Sequence, residues 1–173
     1  MKIKQEQIGQ YDFTSSDYLD KVKSKYAPKI GRFLIDFSSL EYSLDISIVE
    51  FISESWHELG YLVLGDNSLY NKIELFRKLS QSLTKITQPK RLKRLNLLIK
   101  RFHDIRIFRN YISHANWESL EKTGYVRTKI VEKDGTIAFR KVRITPKVIE
   151  SWIRRIDRLH KQFYDFVETM HDF

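Results

Sequence analysis

Arg94-Leu95-Asn-Leu-Leu98-Ile-Lys-Arg-Phe102-His-Asp-Ile105-Arg106-Ile-Phe-Arg109-Asn110-Tyr-Ile112-Ser-His114-Ala-Asn-Trp117 decides how the rest of the chain reads. Leu95, Leu98, Phe102, Ile105 and Ile112 recur at three- and four-residue steps, the spacing of one buried face of an amphipathic helix. Arg109 falls on that same line. A guanidinium is almost never buried alone, so Arg109 has to meet a carboxylate, a bound anion or a solvent-filled cleft. Each of these marks a site.

Upstream of this helix the apolar periodicity is also helical. Thr14-Ser15-Ser16-Asp17 is an N-cap cluster, and Tyr18, Leu19, Val22 and Tyr26 predict a short helix stopping near Pro28. Ile30, Phe33, Leu34, Phe37, Leu40, Leu44, Ile48, Phe51 and Ile52 then hold helical spacing for about six turns. Gly60 and Gly65-Asp-Asn-Ser68 bracket an apolar patch, Tyr61-Leu-Val-Leu64, whose state the period leaves open. Leu69, Ile73, Phe76, Leu79 and Leu83 predict a third helix, and Thr87 before Pro89 starts the central one.

Downstream the pattern changes. Tyr125–Val131 and Thr136–Ile144 are rich in β-branched residues and flank Lys133-Asp134-Gly135, a hairpin signal. Thr145-Pro146 caps a last helix with Ile149, Trp152, Ile153, Ile156, Leu159, Phe163, Phe166, Val167 and Met170 on its apolar face. The expected fold is all-α: a single domain over residues 1–173, an antiparallel bundle of about five helices, with a β-hairpin at about 124–145 inserted before the C-terminal helix.

Composition supports a globular chain, with 42% hydrophobic and 31% charged residues and only six glycines and three prolines among 173 residues. The absence of cysteine excludes disulfides, zinc-thiolate sites and thiol nucleophiles. No apolar run is long enough for a membrane span, and Met1-Lys-Ile-Lys-Gln-Glu-Gln lacks a signal-peptide hydrophobic region, so a cytoplasmic protein with no membrane partner is expected. The formal charge is +9. Between Lys85 and Arg109 nine basic residues face a single acid, Asp104. That stretch is either a solvated face, a surface for an acidic protein, or a phosphate-binding track in which Lys93, Arg94, Lys100 and Arg101 would contact RNA.

On an ideal helix Arg109 and His114 lie about 140° apart around the axis. They cannot converge on one phosphate from one straight helix. Either the helix ends near Ser113, or a working site combines the arginine and histidine of two chains. Asn110 and His114 share a face, so the amide either orients the imidazole or caps the backbone. His114 is the candidate general acid or base, since imidazole exchanges protons near neutral pH; its alternative role is a polar helix-end residue favoured by the dipole. Glu41 interrupts the stripe of the long helix. It either reaches solvent at the stripe's edge or pairs with Arg109 or Arg106, orienting the arginine. Phe108, Tyr111 and Trp117 either stack on bases or belong to the core or a dimer contact. No metal ligand set and no cofactor motif stand out.

The Arg109-Asn110-x-x-x-His114 arrangement at the end of a helix in a mainly helical chain resembles the HEPN (higher eukaryotes and prokaryotes nucleotide-binding) family. The likeness extends over roughly Ile30 to Trp117: Ile30–Leu44 looks like the family's long early helix, and Asn71-Lys72-Ile73 followed by Leu79 looks like the helix before the motif. Arg155-x4-His160 also fits the bare pattern but lacks the asparagine, and Arg155 sits at the edge of its stripe. The resemblance implies a metal-independent endoribonuclease, or a non-catalytic module binding RNA, nucleotide or protein, with two motifs paired across a homodimer. It also implies toxin or defence roles and an antitoxin or regulatory partner. Asn116 stands where members regulated by a partner nucleotidyltransferase commonly carry tyrosine.

Overall fold

Pro28 does not stop the first helix. A computed structural model describes residues 1–7, 16–53, 57–83, 89–133 and 135–171, and α1 runs unbroken from Ser16 to Ile52, where the sequence predicts two helices. Val22 and Tyr26 before the proline share one buried stripe with Phe33 and Phe37 after it. Pro28 is exposed, as is Ser24, whose carbonyl loses its N–H partner to the proline ring. The broken bond therefore lies on the wet side, where water satisfies the carbonyl, and packing of the stripe carries the helix through.

The patch that periodicity left open is the second half of α2, His57–Leu64. Next come α3 (Leu69–Leu83), α4 (Pro89–Ser113), a 3₁₀ turn (Trp117–Ser119) and α5 (Pro146–His171). The described residues thus hold five α-helices, the expected number differently divided. Thr145 caps α5 as predicted, its hydroxyl accepting the Val148 N–H at 3.3 Å. The other cap residues named from sequence, Thr14, Ser15 and Thr87, and the turn residue Asp134, lie outside the described residues.

The expected hairpin is β2 (Tyr125–Lys133) and β3 (Thr136–Arg143), antiparallel, with Gly135 in the turn at φ +72°. A third strand joins it. β1 (Ile3–Gln7) pairs antiparallel with β3, giving the order β1-β3-β2. Hydrophobic alternation could not announce β1, because charge holds it: Lys141, only 2% exposed, meets Glu6 and, at 2.5 Å, Glu121, which also takes Lys4 at 3.1 Å.

The chain divides into two units, one of Met1–Leu34 with Phe108–Ile153, the other of Ile35–Ile107 with Arg154–Phe173. The first contains the sheet and an aromatic run in which Phe33 meets Phe108 edge-on at 5.2 Å and Phe108 stacks on Trp152 at 4.5 Å. The second is a helical core with Phe76 at its hub, in ring contact with Phe51, Phe163 and Phe166. Among the described residues no helix is long and apolar enough to cross a membrane.

Candidate functional site at the end of α4

α4 is held by the stripe that the sequence marks: Leu95, Leu98, Phe102, Ile105 and Ile112 are all buried. The neighbouring buried position is Phe108, wholly enclosed, which settles it as core rather than as a platform for bases. Arg109 is therefore displaced to the margin and half-buried. Its Nη1 donates to the Asn110 side-chain oxygen at 3.3 Å, so within this pair the amide braces the arginine.

The helix ends at Ser113, the first of the two arrangements open from sequence. His114 stands on the turn beyond, its backbone N–H still donating to the Asn110 carbonyl at 3.0 Å. The imidazole is exposed. Residues 116–119 hold that turn in place. Trp117 Nε1 donates to the Ile112 carbonyl at 3.2 Å, satisfying one of the orphan carbonyls of the helix end, and its ring packs against Tyr26 at 5.6 Å. Asn116 N–H donates to the Arg127 carbonyl at 2.8 Å, and Ser119 Oγ accepts the Arg127 N–H at 2.8 Å. The segment after His114 is thereby stitched to β2. Trp117 acts here as a clamp on the helix end.

The remaining sequence-derived candidates lie in the second unit. Lys93, Arg94 and Lys100 are exposed, while Arg101 is half-buried and donates to Gln162. Arg106 stands over the Tyr70 ring at 5.2 Å with its Nε buried and without a hydrogen-bond partner among the described residues. The cation on Glu41 is Lys72, at 3.2 Å, which also meets Asp45 at 2.8 Å. Burial favours the neutral amine, but the bonds and charges of Asp45 and Glu41 outweigh it and hold Lys72 above the usual lysine range. Burial, reinforced by the Glu41 charge, raises Asp45 despite Lys72. The two directions agree physically, since one ammonium serves two carboxylates. From sequence Glu41 either reaches solvent or pairs with Arg109 or Arg106, and the partner it has is neither; the only signal for Lys72 was its place beside Ile73 at the start of the α3 stripe.

Two other histidines are tied into the helices. His103 Nε2 lies 3.1 Å from Glu74, which Arg77 also holds at 2.8 Å, and His160 Nε2 lies 2.8 Å from Ser43 Oγ. Comparison of the chain with protein-family models, with curated proteins and with solved structures returns no match.

Proposed function

We propose that this chain is a metal-independent endoribonuclease of HEPN type, acting in the cytoplasm as a homodimer that pairs two Arg109/His114 segments. The observation that carries the reading is the end of α4: an exposed histidine on a pinned turn, one helical turn beyond an arginine braced by asparagine. The RNA's own 2′-hydroxyl attacks the adjacent phosphorus, the 5′-oxygen leaves, and a 2′,3′-cyclic phosphate results. His114 moves the proton at the 2′ or the 5′ oxygen. Arg109 offers its guanidinium to the charge that grows on the phosphorane oxygens. Asn110 keeps the guanidinium oriented, and two copies supply the second histidine that a paired acid and base require. Lys93, Arg94, Lys100 and Arg101 on α4 guide the RNA backbone. A toxin or defence role, with an antitoxin or regulatory protein as partner, fits such an activity.

The test is cleavage of RNA in EDTA. Fragments ending in 2′,3′-cyclic phosphate and 5′-hydroxyl are expected, with DNA untouched for want of the internal nucleophile. His114→Ala and Arg109→Ala each lose about 10²-fold or more in rate, whereas His160→Ala keeps the activity. Undiminished cleavage by folded His114→Ala protein, or no cleavage at all, overturns the nuclease reading in favour of a binding module.

A further inference from the structure

α2 is apolar on opposite sides. Its inner side is Gly60 and Leu64, both buried. A Cβ at Gly60 would come within 2.8 Å of the Val49 side chain and 2.9 Å of its Cα, so the missing side chain lets α2 lie directly on α1. At about 100° per residue, Leu62 lies opposite that contact, and Leu59 and Val63 extend the apolar surface from it round one flank over an arc of roughly 100°. All three are exposed, Leu62 to 77%. A helix with apolar residues on both its inner and outer sides is normally enclosed, and eight residues are far too few to enter a bilayer as a span. Contiguous apolar surface of this kind marks a contact for another molecule.

Charge identifies the kind of molecule. Between Ile35 and Asn71 the sequence has seven acidic residues and no lysine or arginine, in a chain whose net charge is +9. Lys72 engages Glu41 and Asp45, but Glu58, next to Leu59, and Asp66, just past α2, are exposed. We propose that the outer face of α2 docks a protein partner that presents apolar anchors in a basic surround. Carboxylates at its edge repel RNA and anionic lipid alike, and a second copy brought face to face would set acid against acid. The surface is chemically the opposite of the basic α4 track.

The probes are two synthetic amphipathic helices with the same leucine face, one bearing lysines on its polar side and the other glutamates, titrated by fluorescence anisotropy against the full chain. The lysine peptide is expected to bind at least about tenfold more tightly than the glutamate peptide, and Leu62→Lys to weaken it by about tenfold or more. The double variant Glu58→Lys, Asp66→Lys removes the preference between peptides while leaving RNA cleavage or binding as it was. Circular dichroism of each variant confirms that the helices persist, which is expected for side chains this exposed. Equal binding of both peptides, binding of neither, or indifference to Leu62→Lys overturns the proposal. So does self-association in light scattering that Leu62→Lys abolishes, since the face then belongs to a second copy.

Discussion

Glu121 shows how much can depend on one carboxylate. Burial alone would raise its pKa, but hydrogen bonds from Lys141, Lys4 and Thr123 and the Lys141 charge outweigh that and hold it below the usual glutamate range. Lys141 is affected in the complementary way: burial would lower it, yet Glu121 and Glu6 hold it above the usual lysine range. A carboxyl lowered in the folded state contributes stability above its unfolded pKa and loses it as pH falls through the depressed folded value; a raised lysine contributes below its unfolded pKa and loses it as pH rises through the folded one. The sheet is therefore most secure between these limits. Hydrogen exchange should show the β1 amides losing protection first on acidification, and Glu121→Gln should flatten that acid limb while lowering protection at neutral pH. Equal acid sensitivity in the variant would remove Glu121 from the account. At the same scale, the sequence distinguished poorly between neighbours on one stripe. Arg109 and Phe108 are adjacent, and only packing against Phe33 and Trp152 shows which of them takes the core.

Among the elements, α1 departs most from expectation, because a local rule about proline lost to a stripe that continues past it. Replacing Pro28 with alanine restores the N–H that Ser24's carbonyl lacks, at an exposed position already helical. The gain should be about 1–2 kcal/mol, below the full interior-proline penalty of about 3 kcal/mol because alanine also frees the unfolded chain. Urea unfolding measures it, and an unchanged or lower midpoint would mean that the proline costs α1 nothing. The helices from Leu69 onward and the hairpin were legible because periods of 3.6 and 2 persisted over several turns or strand pairs. β1 was not, since one apolar residue beside a lysine, a glutamate and two glutamines gives no alternation to read. α2 was ambiguous because its apolar residues circle the axis. The end of α4 was legible as a choice between two arrangements, and Ser113 as the last helical residue resolves the local one; the clamp by Trp117 and the stitch to β2 depend on contacts with Tyr26 and Arg127 that no local spacing encodes.

For the whole molecule the relevant quantity is the distribution of charge. The chain's surplus is +9, and α4 alone holds eight basic residues against one acid, Asp104; if RNA is the ligand, its affinity should fall steeply with salt as condensed counterions are released. Changing Lys93, Arg94, Lys100 and Arg101 together to glutamine should weaken binding across sequences and reduce the slope of log affinity against log salt by about 2–3, at roughly 0.7 per phosphate contact on a single strand. The lower end is expected because Arg101 is already engaged by Gln162. A filter-binding titration at several salt concentrations reads both quantities, and an unaltered slope would locate the nucleic-acid surface elsewhere.

The pairing of β1 with β3 also sets an order of events during synthesis. Lys4 and Glu121 are 117 residues apart, and the strand opposite β1 is made later still. At ribosomal rates of roughly 5–20 residues per second, the first strand waits many seconds for its partner, while the hairpin beside it needs only a short turn to close. Closing so long a loop is entropically slow beside local helix formation. Docking of the N-terminal strand is thus a late step in folding, and a fusion placed ahead of Met1 would act on that step while leaving the earlier helices to form.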